Sequence, residues 1–386
     1  MKIMRSGDGR VGFAELFYDL VFVFAITQVS HHLLANLTLE GAMQTGLLFL
    51  AIWWVWIYST WTLNGLDPDL FAVRILLFTM MTGGLFLSMA LPEAFGERGA
   101  VYGICFALMQ AGRALFVVLT TADHPVIQRI YRRIGLWAAI AGIFWIWGGF
   151  AQPQDRMMIW LIAMGIEMLG PMSGFYIPGR GRSSTTTWTI NGGHMAERCA
   201  LFVIICLGEA LLVSGATFAE MAWDATGIVT FLSAVFGAIA LWWIYFHIGH
   251  KRGTHHIEHS DDPGALGRLA YSYLHIPIVA GVVLSAVASE LAIAHPHHGA
   301  EWRDIAVSLG GTSLFLLGSG LFKWISAPYF PLSHLVGLGL CAALVWPLHG
   351  AALIWVNIAA LCVLALVAVW EDVSLNRDSR KPARQA

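Results

Sequence analysis

The sequence predicts an all-α protein, a polytopic bundle of about twelve transmembrane helices. Only 12% of the 386 residues are charged and 58% are hydrophobic, whereas about a quarter of the residues of an ordinary soluble domain are charged. Mean hydropathy is +0.68. Apolar stretches of about 20 residues, long enough to cross the hydrocarbon core of a bilayer, recur along the whole chain. This composition argues against a soluble enzyme.

The first apolar stretch begins at Phe13 after a basic leader, which superficially resembles a secretory signal. Because the stretch carries Glu15 and Asp19 and has no A-x-A cleavage site, we interpret it as a retained first span. Apolar windows separated by polar residues then predict the spans in order. The windows are 13–34, 42–62, 72–91, 100–120, 133–150, 156–176, 194–215, 226–249, 266–293, 305–325, 331–348 and 350–371.

The distribution of basic residues predicts the orientation of the chain. Seventeen of the 22 Lys and Arg residues fall on one side of the predicted spans, and only Arg98, Arg156 and Arg303 fall on the other. Because cytoplasmic loops retain Lys and Arg, both termini are predicted to be cytoplasmic in the bacterial inner membrane. Aromatic residues near predicted span ends are interpreted as interfacial anchors, namely Trp53, Trp54, Trp56, Tyr58 and Trp61.

Similar landmarks recur in the two halves of the chain and predict a parallel six-plus-six internal repeat. Glu15 corresponds to Glu197, and Trp53–Trp54 to Trp242–Trp243. An Asp-Pro pair with a following Arg also recurs, before the third and the ninth span. The predicted organisation is a first six-helix repeat at 1–176, a cytoplasmic linker at 177–193, a second repeat at 194–371 and a cytoplasmic tail at 372–386.

Ionisable side chains inside spans are costly, so each is a candidate functional residue that faces a partner or a wet cavity. The first, seventh and ninth spans carry them in stripes at helical spacing. Within the first span, Glu15 and Asp19 lie on one face of the helix. Gln28 and His31 lie roughly on the opposite face. The predicted ion- or substrate-binding residues in these spans are Glu15, Asp19, Gln28, His31, His194, Glu197, Arg198, Glu209, Arg268, His275 and Glu290.

Such stripes suit a proton or ion pathway, because carboxylates accept protons, histidine titrates near neutral pH, and arginine can hold a carboxylate ionised or bind an anion. The alternative is a set of interhelical salt bridges, such as Asp19 with Arg198, that only fix the packing. Glu167 in the sixth span, and Gln110 with Arg113 in the fourth, are further candidates with the same two interpretations.

Other motifs carry weaker signals. Gly170–Pro171 and Pro277 predict either unwound segments that expose backbone groups to a ligand, or simple kinks. His255–His259 has the H-x-x-E-H spacing of a zinc protease, but neighbouring Gly and Pro favour a solvated loop. The five cysteines form no C-x-x-C pair, so we predict no metal site and no cofactor. The near-neutral charge, −2, predicts no nucleic-acid partner.

The first span reads ELFYDLVFVFAITQ over Glu15–Gln28. It is followed by WWVW at Trp53–Trp56, DPD at Asp67–Asp69 and PEAFGERG at Pro92–Gly99. Together with Gly208–Glu209, these motifs resemble the bacterial low temperature requirement protein A family over most of the chain. The resemblance implies a multipass plasma-membrane protein linked by name to growth in the cold.

The segment Phe17–Asp19 and the six-plus-six layout are also similar to the lysosomal two-repeat potassium and proton channels, whose first span carries an F-S-D motif. Here no arginine immediately precedes Phe17, and the seventh span contains no F-x-D.

The leading functional expectation is a secondary transporter or proton-coupled permease, with Asp19, Glu197, Arg198 and Glu209 near the interface between the halves. Its partners would be membrane lipid and a small solute or ion, and no enzymatic activity is expected. We expect Glu209→Gln to abolish coupling. The alternatives are a cation or proton channel, an intramembrane enzyme, and an envelope scaffold needed for growth in the cold.

Overall fold

The computed structural model describes residues 3–5, 10–184, 190–221, 223–247, 260–325 and 329–379. Within these ranges the chain is helical, and the extended pairings are isolated bridges, so the predicted all-α class is confirmed. Twelve long helices follow one another in the described ranges: α1 (Phe13–Ala35), α2 (Leu39–Gly65), α3 (Phe71–Ala90), α4 (Gly99–Thr120), α5 (Pro125–Phe150), α6 (Pro153–Met172), α7 (Gly192–Ala219), α8 (Ala225–Phe246), α9 (His275–Ala294), α10 (Trp302–Ile325), α11 (Leu332–Leu344) and α12 (Leu353–Ser379).

Ten of the described helices are long and apolar enough to cross a membrane, which confirms the predicted polytopic helical bundle. The other two are α6 and α11. Helix α6 carries Asp155, Arg156 and Glu167 within its 20 residues. Helix α11 has 13 residues, about 20 Å at 1.5 Å per residue, against a hydrocarbon core of about 30 Å. The count of twelve spans stays a prediction.

The structure divides into two compact units. The first is Met1–Arg198 with Glu258–Gly267, and the second is Cys199–Ile257 with Arg268–Ala386. The boundary falls inside α7, directly after Arg198. The predicted six-plus-six repeat, with its linker and tail, stays a prediction.

Helix α2 lies at the centre of the first unit, where it packs against α1, α4 and α6. All residues from 51 to 60 are buried, including Trp53, Trp54 and Trp56, which are at most 1% exposed. The interpretation of these tryptophans as interfacial anchors is therefore wrong. Their indoles pack inside the unit because neighbouring helices cover α2.

Glycines allow close approach between two pairs of helices. In the first unit, a Cβ on Gly103 of α4 would overlap the Trp145 carbonyl of α5. In the second unit, a Cβ on Gly281 of α9 would crowd the backbone of α10 at Phe315 and Gly311. Small residues at such crossings are typical of membrane helices, whose association depends on close van der Waals packing.

Arg156, in the first turn of α6, joins three segments of the first unit. Its guanidinium is buried and donates to five backbone carbonyls at 2.7–3.3 Å, those of Ala94, Gly96, Gly148, Gly149 and Ala151. Three of these oxygens lie at the carboxyl end of α5. A cation there satisfies carbonyls that have no partner within the helix and complements the helix dipole.

The two predicted helix breaks have different structures. Pro171 lies in the last turn of α6, which is followed by Gly174 and Phe175 at φ of 64° and 50°, so this break ends a helix. Pro277 is the third residue of α9. The preceding segment, Arg268–Tyr273, forms wide π-helical turns.

Candidate functional site

The candidate site lies in the first unit and begins at the amino end of α1. Glu15 is fully buried in the first turn. One oxygen, Oε2, accepts from the Arg5 guanidinium and from the Gly12 backbone N–H, each at 2.8 Å. The other, Oε1, lies 2.7 Å from His194 Nε2. Both oxygens of this buried carboxylate are therefore engaged by charged or polar donors.

The surroundings of His194 define its tautomer. Asn64 Oδ1 accepts from the backbone N–H of Asn191 at 3.1 Å, so the amide nitrogen of Asn64 faces His194 Nδ1 at 3.2 Å. Nδ1 therefore accepts a hydrogen bond, and Nε2 carries the proton that it donates to Glu15. The network assigns a neutral imidazole hydrogen-bonded to an ionised carboxylate.

One helical turn beyond Glu15, Asp19 meets Arg198 of α7, and both side chains are fully buried. Asp19 Oδ1 accepts from Arg198 Nη2 and from Trp56 Nε1, each at 2.8 Å. Arg198 Nη2 also lies 3.5 Å from the hydroxyl of Thr60, and its guanidinium lies over the Trp56 ring. Among the described residues, Asp19 Oδ2 and Arg198 Nε and Nη1 have no hydrogen-bond partner.

A second buried charged group lies beside the other face of α2. Arg113 of α4 donates to the Thr62 hydroxyl at 2.7 Å and to Gln110 Oε1 at 3.1 Å. The Gln110 amide in turn donates to Glu167 Oε2 of α6 at 3.3 Å. Gln110 thus bridges the guanidinium and the carboxylate. Within the described ranges, Arg113 Nε and Glu167 Oε1 lack a hydrogen-bond partner.

The structure therefore groups seven of the sequence-predicted candidates into two neighbouring networks: Glu15, Asp19, His194 and Arg198 in one, and Gln110, Arg113 and Glu167 in the other. Helix α2 supplies hydrogen-bond partners to both networks. These side chains are not among the binding residues predicted from the sequence: Trp56, Thr60, Thr62 and Asn64. Four hydroxyl and amide residues within 59–64 of an apolar span are the signal that could have identified them.

Other first-unit candidates lie outside these networks. Glu197 is exposed and accepts from the backbone N–H of Val11 at 3.3 Å. On α1, Gln28 is half-buried and His31 is exposed, whereas the adjacent His32 is buried. The binding roles predicted for Glu197, Gln28 and His31 stay predictions.

In the second unit, both ring nitrogens of His275 have hydrogen-bond partners. Its Nδ1 lies 2.8 Å from the Ala270 carbonyl, and its Nε2 lies 2.9 Å from the Tyr245 hydroxyl. The ring therefore donates to a carbonyl of the π-helical turns and accepts from a tyrosine. The predicted stripe of polar side chains through Arg268 and His275 assumes a rotation of about 100° per residue. The π-helical turns between these residues change that rotation.

The remaining ninth- and seventh-span candidates differ in exposure. Glu209 is buried at 7% exposed, whereas Arg268 and Glu290 are half-buried. Their predicted binding roles are untested by this geometry.

The sequence reading missed a buried ion pair in the second unit. Lys323 of α10 lies 2.7 Å from both carboxylate oxygens of Glu371 of α12 and 3.0 Å from the Ile244 carbonyl. His334 lies 3.4 Å from the same carboxylate. Lys323 lies near the end of the predicted span 305–325, where a charged residue is ordinary.

Among the described residues, no three His, Cys, Asp or Glu side chains form a group that could hold a metal ion. The H-x-x-E-H motif at His255–His259 lies outside the described residues.

The chain matches the family described as bacterial low temperature requirement A protein (LtrA) over residues 10–369. It is 36% identical over 381 residues to an uncharacterized protein of Rhizobium meliloti (strain 1021), an alignment that covers 98% of this chain and 93% of the relative. No solved structure matches the chain.

Proposed function

The chain belongs to the bacterial low temperature requirement A (LtrA) family, and we propose that this multipass membrane protein is a proton-coupled secondary transporter of a small solute or ion. The observation that carries the proposal is a contrast between neighbouring carboxylates on α1. Glu15 has partners on both oxygens. Asp19 and Arg198 meet through one contact and keep buried polar atoms without a partner among the described residues.

A pair that only fixes helix packing gains by complete hydrogen bonding, because each buried polar atom left unpaired costs about 1–3 kcal/mol. Removing the two charges from water also costs free energy, and an ion pair with incomplete hydrogen bonding does not offset that cost. The incomplete pairing of Asp19 with Arg198 is therefore unfavourable for a packing device. It suits a site where a proton or a substrate binds, since such a site needs free acceptors and donors.

In the proposed mechanism, the exchanging proton binds Asp19 at Oδ2, the oxygen without a described partner. Protonation removes the negative charge that Arg198 balances. An anion bound to Arg198 then restores neutrality, so a proton and an anion enter the buried site together without changing its net charge. This arrangement favours an anionic substrate.

The Glu15–His194 pair is proposed to position the site. Glu15 lies one turn, about 6 Å of helix rise, from Asp19 and nearer the amino end of α1. The bond between His194 Nε2 and Glu15 Oε1 is 2.7 Å long. Because the neutral His194 donates its Nε2 proton to the ionised Glu15, this bond orients both side chains and does not carry the exchanging proton.

We also propose that the protein lies in the plasma membrane with both termini cytoplasmic. The support is the excess of Lys and Arg on the side of the predicted spans that contains the termini. Reporter fusions to the carboxyl terminus, one active only in the cytoplasm and one only outside it, test this orientation.

The test of transport measures proton flux into dye-loaded proteoliposomes under an imposed pH gradient and potential, with and without a pool of small organic anions. Wild-type protein should move protons only when an anion is supplied. Asp19→Asn should abolish that flux while remaining folded, because its amide oxygen can still accept from Arg198 and Trp56. The matched control is Glu40→Gln, which makes the same carboxylate-to-amide change at an exposed position of α2.

Each alternative function gives a different result. Flux without any solute, visible as single-channel current in a planar bilayer, would contradict the transporter and favour a channel. The absence of flux under every condition, together with a copurifying partner, would favour an envelope scaffold. Normal coupled flux in Asp19→Asn would remove the central residue from the proposal.

A further inference from the structure

The second unit contains a small cavity within its helix bundle, lined by both apolar and polar side chains. Its volume is about 30 Å³. A space of about 10–15 Å³ holds one water molecule by this measure, so the cavity accepts a small ion with a water molecule but not an organic solute. Hydroxyl and amide side chains from five helices line it, among alanine, glycine, valine and leucine residues: Ser214 of α7, Ser233 of α8, Ser285 and Ser289 of α9, Ser308 and Thr312 of α10, and Asn357 of α12.

The hydrogen-bond pattern makes these side chains acceptors toward the cavity. The hydroxyls of Ser285, Thr312 and Ser233 donate to backbone carbonyls of their own helices at 2.7–3.1 Å. A hydroxyl that has donated its single proton retains only lone pairs. Ser289 likewise donates to Asn357 Oδ1, at 3.4 Å.

The amide of Asn357 is oriented by the same network. Its nitrogen donates to the Ser233 hydroxyl at 2.7 Å, so its carbonyl oxygen faces the Ser289 side of the cavity. Ser308 supplies an independent observation. It is 5% exposed, and its hydroxyl has no hydrogen-bond partner among the described residues.

We infer that this cavity is a binding site for one partly dehydrated monovalent cation, Na⁺ in size. A cation is favoured because hydroxyl and carbonyl oxygens replace its hydration shell. A divalent ion is disfavoured because Ca²⁺ and Mg²⁺ sites use carboxylates, and no charged side chain is among the lining residues. An anion is disfavoured because the hydroxyls of Ser285, Thr312 and Ser233 have already donated their protons to backbone carbonyls.

The inference goes beyond the proposed proton-coupled transport and does not depend on it, since ion binding is measured at equilibrium. The test uses the full chain purified in detergent. Binding of radioactive Na⁺ and the thermal unfolding midpoint are measured as NaCl replaces choline chloride at constant ionic strength. A ligand that binds only the folded state raises the midpoint, so we expect saturable binding of one Na⁺ per chain and a midpoint that rises with Na⁺.

Ser308→Ala removes one oxygen without removing an existing hydrogen bond among the described residues. We expect it to fold and to weaken Na⁺ binding by about tenfold, the effect of losing one good interaction. The matched control is Ser88→Ala in the first unit, which removes a buried hydroxyl bonded to its own helix at Gly84. The control should retain wild-type Na⁺ binding.

Three results would overturn the inference. The first is equal protection by Na⁺, K⁺ and choline, which would mean that the cavity holds water only. The second is a Na⁺ response unchanged in Ser308→Ala, which would place the ion elsewhere. The third is equal loss of binding in Ser308→Ala and Ser88→Ala, which would indicate a general effect on folding. Absence of proton flux in proteoliposomes would not bear on any of them.

Discussion

Asp19 and Arg198 are joined by a single contact of 2.8 Å between Oδ1 and Nη2, although both side chains are fully buried. The same aspartate oxygen accepts from the Trp56 indole. Two hydrogen bonds therefore converge on one oxygen, while the other oxygen has no partner among the described residues. This asymmetry leads to a prediction that separates a transport role from a packing role.

Replacing one member of this pair should destabilise the protein strongly, and replacing both should restore much of the loss. Asp19→Leu or Arg198→Met alone leaves a buried, unpaired charge, for which we expect about 3–5 kcal/mol of destabilisation. The double variant removes both charges. It should recover most of that loss, except for a cost of about 1–3 kcal/mol for the Trp56 N–H that loses its acceptor. Equilibrium unfolding in mild detergent measures these differences.

The same double variant tests function. If Asp19 binds the exchanging proton and Arg198 binds the anion, a folded Asp19→Leu/Arg198→Met protein has no coupled proton flux in proteoliposomes. Wild-type flux in this variant would show that the pair only holds α1 and α7 together. Because stability and flux are read separately, a misfolded sample is distinguished from an inactive one.

The hydrogen bonds of His194 lead to a second prediction. His194→Gln keeps a donor for Glu15 Oε1, so we expect its stability to fall by about 1 kcal/mol, mainly from the lost contact with Asn64. His194→Leu leaves the Glu15 oxygen without this donor and removes one of the two acceptors of the Asn64 amide, which still donates to the Asn191 carbonyl at 2.8 Å, and it should cost about 2–4 kcal/mol. The measurement is denaturant unfolding of each variant. His297→Leu is the control, since His297 is exposed, and equal losses in the Gln and Leu variants would show that the hydrogen bond between His194 and Glu15 contributes little.

Much of the fold follows from hydropathy and helical periodicity. The predicted window 100–120 corresponds to α4 at Gly99–Thr120, because polar residues at both ends mark where the apolar stretch stops. The environment of Trp53 and Trp56 could not be predicted. An apolar residue in a span faces either lipid or protein, and its sequence context is the same in both cases.

The site was partly predictable for a related reason. A buried charge is rare in a span and conspicuous in a sequence, as at Asp19 and Arg198. Hydroxyl and amide residues such as Thr60 and Asn64 are common in spans, and only their density within 59–64 distinguishes them. Their contacts with residues more than 120 positions away depend on packing that only the folded structure specifies.

Arg156 leads to a third prediction, which concerns the stability of the protein and not transport. Arg156→Ala removes a buried cation that binds five carbonyls of the first unit. Hydrogen bonds to a charged group contribute about 1.5–3 kcal/mol each and are not additive, so we expect a loss of at least about 3 kcal/mol. Arg156→Lys should recover only part, because an ammonium has three donors and lacks the planar fork.

The control for this prediction is Arg98→Ala, at an exposed arginine of the neighbouring α3–α4 loop. Its guanidinium donates to one carbonyl, that of Met89, at 2.8 Å in solvent, so we expect a smaller loss, about 1 kcal/mol. Thermal unfolding of the three variants in detergent gives the comparison. Equal effects at Arg98 and Arg156 would show that the carbonyl contacts of Arg156 contribute little.

Two glycines of α4 give the fourth prediction. A Cβ at Gly103 would overlap the Trp145 carbonyl of α5, whereas a Cβ at Gly112 would meet nothing within 4 Å. Gly103→Ala must therefore separate the two helices, and we expect a loss of about 1–3 kcal/mol from overpacking. Gly112→Ala should stabilise the protein by up to about 1 kcal/mol, because alanine favours the helix where it adds no clash. The two variants carry the same substitution on one helix, so opposite signs in their unfolding free energies can arise only from the contact with α5. Equal signs would mean that α4 and α5 are not packed this closely.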